Sequence, residues 1–292
     1  MRVLTLHAIR LTPGDSPGAK TALRADSATS KLYPLRSTMI FSWLRRRRRE
    51  KLQAEPFPAT WLVVLVQNMP YYSRLEPEDQ QRLQNLVRLM IAEKNWEGCG
   101  GLVLSDEIKV TIAAWACLLV LRLDLDLYRR LMSILIYPTT YVAAESEFPR
   151  QQPRDVEARE GESWHDGAIV LNWGAIEENL RDSRGHNLVL HEFAHQLDFG
   201  DHDANGIPQL GNAHKRAEWR EVIGEEYAKL VAAARTRQPT LLDKYGTKNE
   251  AEFFAVATEC FFLSARPMRL QHPRLYQLLA DYYRQDPAQW RA

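Results

Sequence analysis

Cysteine is scarce: the 292 residues hold three, Cys99, Cys117 and Cys260, far apart and odd in number. That excludes a disulfide framework, and the absence of C-x-x-C spacing leaves no thiolate pair for a metal or redox motif. The usage fits a reducing cytoplasm with the thiols as small buried residues. No sign of charge dominates either: 38 Lys and Arg stand against 37 Asp and Glu, a formal net charge of +1. The whole-chain electrostatic case for direct nucleic-acid binding is therefore missing. Long apolar runs are missing as well. The longest uncharged one, Val110–Leu121 ("VTIAAWACLLVL"), is about eight residues short of a membrane span and reads as a buried helix. The N-terminus lacks the basic, apolar, small-residue order of a secretory signal, and no internal repeat is visible. A cytoplasmic globular protein without a transmembrane segment is expected, and the hydrophobic fraction of 45% supplies an ordinary core.

What is present divides unevenly. Residues 1–38 are rich in Ser, Thr, Ala, Gly and basic residues without a sustained period, and read as a disordered or misannotated extension. Met39 opens "MIFSWLRRRRREK", which could itself be a natural start; its Arg45–Arg49 run reads as a solvated arm, with a weak contact to acidic lipid the other option. From 39 to about 130 the pattern is helical. Leu83, Leu86, Val87, Met90 and Ile91 form a stripe at three-four spacing. Pro77 suits a first helical turn, and Ser105 followed by Asp106 and Glu107 is an N-cap signal. Ser133–Val142 and Gly167–Trp173 ("GAIVLNW") are β-branched and bounded by breakers, hence strands. Helical spacing returns over 218–234, 249–263 and 272–284. Residues 131–292 are the expected catalytic part, and 39–292 one compact unit. The order implies an α+β fold, mostly helical with a small mixed or antiparallel sheet.

The chemistry concentrates in "LHEFAHQLD", Leu190–Asp198. On a helix, residues four apart share a face, so His191 and His195 can aim two imidazoles at one ion. Glu192 lies about 100° around the axis, close enough to reach a water beside that ion without binding it. Zinc accepts such nitrogen and oxygen donors tetrahedrally and keeps one position for water. Leu190, Ala194 and Leu197 form the opposite, core-facing side. The competing account makes His191 and His195 hydrogen-bonded core residues.

A catalytic zinc needs a third protein ligand. The pattern with a third histidine ten residues after the first, and glycine at the seventh, is absent: those positions are Asp201 and Asp198. His202 falls one residue too late and His214 has no useful register. A carboxylate from the segment Lys244–Phe262 is the other solution, with Glu250, Glu252 and Glu259 on offer. Glu252 and Glu259 are seven apart and nearly on one face, and spacing does not choose between them.

"HEFAHQLD" followed by "YGTKNEAEFFAV" resembles the Mlc titration factor A family, gluzincin-type metallopeptidases whose catalytic segments are similar to those of the anthrax lethal factor protease domain. "DEIKVTIAAWACLLVL", "ILIYPTTYV", "GAIVLNW" and "HPRLYQLLADYYRQDP" follow in the family's order, so the likeness covers about residues 39–288. The resemblance implies a zincin-like core with one catalytic Zn2+ held by His191, His195 and Glu252, and Glu192 as general base. It also implies that the hydroxyl of Tyr245 assists catalysis. Asp198 fits as an acceptor orienting a ligand imidazole, with a turn contact the alternative; Glu259 fits a similar supporting place, with a surface or helix-pairing role the alternative. The implied function is zinc-dependent hydrolysis of a peptide or protein, as aminopeptidase or endopeptidase, linked to glucose uptake through an Mlc-like transcription repressor. The alternative is a non-catalytic protein that sequesters that repressor. "GAIVLNW" is expected to be an edge strand that pairs with an extended substrate.

Overall fold

The computed structural model describes residues 34–139, 161–164, 167–181, 185–199 and 205–290. The expected extension lies outside these residues, except for a helix backbone that starts at Pro34, and so does the end of the first expected strand, residues 140–142. The chain divides into two units, residues 1–48 and 49–292. Helix α1 (Pro34–Ala54) carries the arginine run. In the first unit Arg45–Arg48 are exposed, and the Arg47 guanidinium lies 4.4 Å from the centre of the Trp43 ring, a cation–π contact. In the second unit Arg49 forks onto Glu93 at 2.6 and 2.7 Å and reaches Asp126 at 2.9 Å, so this arginine serves the fold.

The second unit is mostly helical with one small sheet. Helix α2 (Ala59–Asn68) and helix α3 (Pro77–Glu93) pack on helix α4 (Asp106–Leu119). The stripe on α3 is buried at Leu83, Leu86, Val87 and Met90, with Ile91 at its margin. Ser105 caps α4 by accepting the Ile108 amide at 3.2 Å, a contact worth about 1 kcal/mol. From Val110 onward α4 is buried on every face, as a short apolar run in a soluble core must be. Among the described residues no helix is long and apolar enough to cross a membrane. Cys117 and Cys260 are buried free thiols and Cys99 is half-buried.

Four strands, β1 (Asn95–Gly98), β2 (Ser133–Tyr137), β3 (Gly161–Trp164) and β4 (Ala168–Asn172), form a sheet in the order β1-β2-β4-β3. Its three-strand core, β1, β2 and β4, is parallel, and β3 pairs antiparallel against β4. One expectation is overturned. "GAIVLNW" supplies β4, an interior strand with ladders on both sides, so its backbone groups are committed to β2 and β3 and cannot take a substrate strand. At Trp173 the chain already turns into helix α5 (Trp173–Arg181). Helices α6 (Leu188–Asp198), α7 (Ala213–Arg235), α8 (Glu250–Leu263), α9 (Ala265–Gln271) and α10 (Pro273–Tyr283) complete the unit.

A buried carboxylate ties α7 to the start of α10. Glu226 accepts from His272 Nδ1 and from Lys229 Nζ, both at 2.6 Å. The His272 bond chiefly, with help from Lys229 and against burial, holds the Glu226 carboxyl below the usual carboxylate range. A group depressed in this way stabilises the fold above its unfolded value of about 4.3, and the contribution is lost as pH falls through the folded value. Glu226→Gln should therefore cost about 1.5–3 kcal/mol at neutral pH. In urea unfolding the deficit should shrink as pH falls below about 4.3, the unfolded value. A deficit independent of pH would remove the ionised Glu226 carboxylate as its source.

Candidate metal centre

Helix α6 begins where Asn187, in extended backbone, accepts the Leu190 amide on Oδ1 at 3.0 Å. Its apolar residues Leu190, Phe193, Ala194 and Leu197 are fully buried, and the Phe193 ring meets Tyr128 edge-on at 5.2 Å. Both α4 and α8 pack on it. With that face fixed, His191 and His195 fall together on another, their ring centroids 5.0 Å apart.

Helix α8 brings the carboxylates. Asn249 caps it by accepting the Glu252 amide at 2.9 Å, which places Glu252 in the first turn. One Glu252 oxygen stands 3.1 Å from His191 Nε2 and 3.4 Å from His195 Nε2. Two turns on, Glu259 Oε1 lies 2.8 Å from His191 Nδ1. The two glutamates that spacing could not separate thus hold opposite nitrogens of one imidazole. Glu250 is exposed on the same turn and takes no part, and His214 is exposed on α7. Asp201 and His202 lie outside the described residues.

The protonation pattern follows from these contacts. The ionised Glu259 carboxylate only accepts, so His191 Nδ1 donates to it, and the opposite nitrogen, Nε2, faces inward, 3.1 Å from Glu252, where a metal ion can displace a proton. His191 Nε2, a His195 nitrogen and a Glu252 oxygen then meet within 4.8 Å of one another. Three lone pairs so close repel unless a cation or a proton lies among them. Two imidazoles and one carboxylate are also a donor set that catalytic zinc takes. The residues fit a metal ion. The same field appears in the acid–base balance: burial pulls His191 down, but hydrogen bonds to Glu252 and Glu259 carry it well above its ordinary value. Glu252 is opposed by burial, yet the two histidines hold it far below the carboxylate range.

Glu192 is buried beside this group, and burial raises its pKa against the pull of His191 and His195. Tyr245 sits in a single 3-10 turn, Lys244–Thr247, whose start is fixed by Asp243 accepting the Tyr245 amide at 2.8 Å. Its ring, 45% exposed, stands 5.8 Å from the His191 ring, and Lys248 Nζ lies 3.9 Å over its face. Asp198 makes the turn contact rather than the imidazole contact: Oδ2 accepts the Gly206 amide at 2.8 Å, and among the described residues no hydrogen bond joins it to His191 or His195. Burial raises Asp198 to about 6, and the Gly206 amide partly offsets this.

Gly206 itself links three helices. Its carbonyl accepts from Trp219 Nε1 on α7 at 2.8 Å, its amide holds the end of α6, and a Cβ here would run into the Glu250 carbonyl at the start of α8. Its φ of +73° is also one that other residues resist.

His186 was not foreseen. It precedes the cap of α6, off the four-residue spacing that marks a ligand pair, and its Nδ1 lies 2.7 Å from Glu259 Oε2.

Residues 42–284 match the family described as glucose-regulated metallo-peptidase M90. An uncharacterized protein of Synechocystis sp. is 39% identical over 249 residues, covering 84% of this chain and 90% of that one. Mlc titration factor A of Klebsiella pneumoniae is 32% identical over 263 residues, covering 86% and 94%. The Mlc titration factor A of Yersinia pestis is 30% identical over 258 residues, covering 85% and 91%.

Proposed function

Because the chain belongs to the glucose-regulated metallo-peptidase family M90, we propose that it hydrolyses peptide bonds with one zinc ion held by His191, His195 and Glu252. The observation that carries this reading is the meeting of those three donors within 4.8 Å, with Glu259 accepting from the outer nitrogen of His191. A zinc ion in this set would polarise the scissile carbonyl and lower the pKa of a water next to it.

The remaining work falls to the chain's own groups. Glu192 takes the proton of the attacking water and passes it to the leaving nitrogen. Burial raises its proton affinity above that of an ordinary carboxylate, which favours its taking a proton from water. Tyr245 is exposed enough to meet a substrate and close enough to the centre to donate its hydroxyl to the developing oxyanion. Tyr245→Phe should lower kcat about 10²-fold or more, the usual effect of losing one oxyanion donor. Metal content and KM should stay near those of the parent. A variant with parental kcat, measured on one peptide across concentrations, would leave Tyr245 a packing residue. Among the described residues β3 is the terminal strand that packs against α6, so an extended substrate would pair there and not on β4.

The direct test is metal analysis of the purified protein together with a panel of short chromogenic peptides, free and blocked at the amino end. Stoichiometric zinc with cleavage supports the reading, and the blocked set separates aminopeptidase from endopeptidase action. Protein purified without chelators that holds no zinc and cleaves nothing overturns it.

A second reading is favoured by the names of the relatives. Two of them are called Mlc titration factor A, which supports capture of an Mlc-like transcription repressor and a link to glucose uptake. The two activities are compatible, since a bound partner can gate a peptidase.

A further inference from the structure

Glu259 is nearly sealed, 3% exposed, yet three donors converge on its carboxylate. Oε1 takes the His191 Nδ1–H at 2.8 Å, whereas Oε2 takes the Asn187 amide at 2.6 Å and His186 Nδ1 at 2.7 Å. His186 is 46% exposed, and its ring stands 6.3 Å from that of His191. Gly185, with φ +91°, turns the chain so that His186 and Asn187 both face α8.

We propose that His186 is a positioning residue for the metal centre, acting on His191 through the carboxylate that the two histidines share. A carboxylate at the end of a glutamate side chain turns freely unless both of its oxygens are held. The Asn187 amide and His186 approach one oxygen from separate directions and thereby fix the carboxylate plane. That plane sets the direction of the Nδ1 bond, and so the angle at which His191 Nε2 faces His195 and Glu252. It also sets how much electron density reaches Nε2, because the carboxylate divides its accepting power between two rings. Partners of this kind behind a ligand imidazole change metal affinity about 10–100-fold.

The inference rests on the metal-centre reading, and the test separates the two. His186→Phe keeps a ring against His191 and removes the N–H, whereas His186→Asn removes the ring but places an amide N–H where Nδ1 was. Zinc affinity is measured by competition with a chromogenic chelator, Co2+ absorption reports the ligand field, and thermal unfolding of the metal-free proteins controls for folding. The Phe variant should bind zinc about 10–100-fold more weakly, with a shifted Co2+ spectrum and an unchanged metal-free melting temperature. The Asn variant should recover most of the affinity and the parental spectrum. Parental affinity in the Phe variant overturns the proposal, as does the reverse order, Asn weak and Phe intact, which would make packing the cause. A parent protein that takes up no zinc overturns the metal centre and this inference with it.

Discussion

Glu192→Gln should leave the metal in place and lower peptide hydrolysis about 10²–10⁴-fold, the range that general acid–base catalysis supplies. Metal is retained because Glu192 is not among the three donors that converge within 4.8 Å. The fold is retained because glutamine has the same shape and removes a charge whose burial already raises its pKa. Hydrolysis is lost because an amide can neither take the proton of the attacking water nor deliver it to the leaving nitrogen. Metal content and turnover are measured on the same preparation, so a drop in one cannot be mistaken for the other. Parental turnover in a fully metallated variant would remove Glu192 from the mechanism.

Glu252→Ala should do the opposite and strip the site. The two imidazoles of α6 remain one turn apart, but two donors leave a zinc ion largely exchanged with solvent. Affinity should fall by more than about 100-fold, beyond the range of a supporting residue, and hydrolysis with it. The start of α8 should survive, since Asn249 caps it through the backbone amide of residue 252 rather than through the lost side chain. Metal analysis after gel filtration checks the first expectation and circular dichroism the second. Stoichiometric zinc in this variant would mean that another donor completes the set. The same protein also divides the two functional readings: capture of an Mlc-like repressor by a folded, metal-free variant would make binding independent of catalysis.

The helices were legible wherever one face is apolar over several turns, as at Leu83–Met90, or where a cap stands at the boundary, as at Ser105. That His191 and His195 share a face was legible because residues four apart on a helix lie one turn apart. The choice between Glu252 and Glu259 was not, for a reason the geometry makes plain: seven residues put both on the face turned to α6, and the same imidazole engages both. Only the resemblance favoured Glu252 as the ligand. β1 escaped notice because Asn-Trp-Glu-Gly has no apolar alternation and exists as a strand by pairing with β2. The place of β4 inside the sheet depends on strand order, which no local pattern carries. Asp198 could be placed near the site from its position in the motif, but its partner, the Gly206 amide, depends on how the chain returns after α6.

The knot at Gly206 has a consequence for how such chains are recognised. This residue carries no functional group, yet any side chain there would push on the turn of α8 from which Glu252 projects. A sequence could then keep every signature residue of the peptidase and still be unable to gather its donors. Inventory of the motif certifies the parts, whereas a hydrogen atom in place of a methyl group decides whether they assemble.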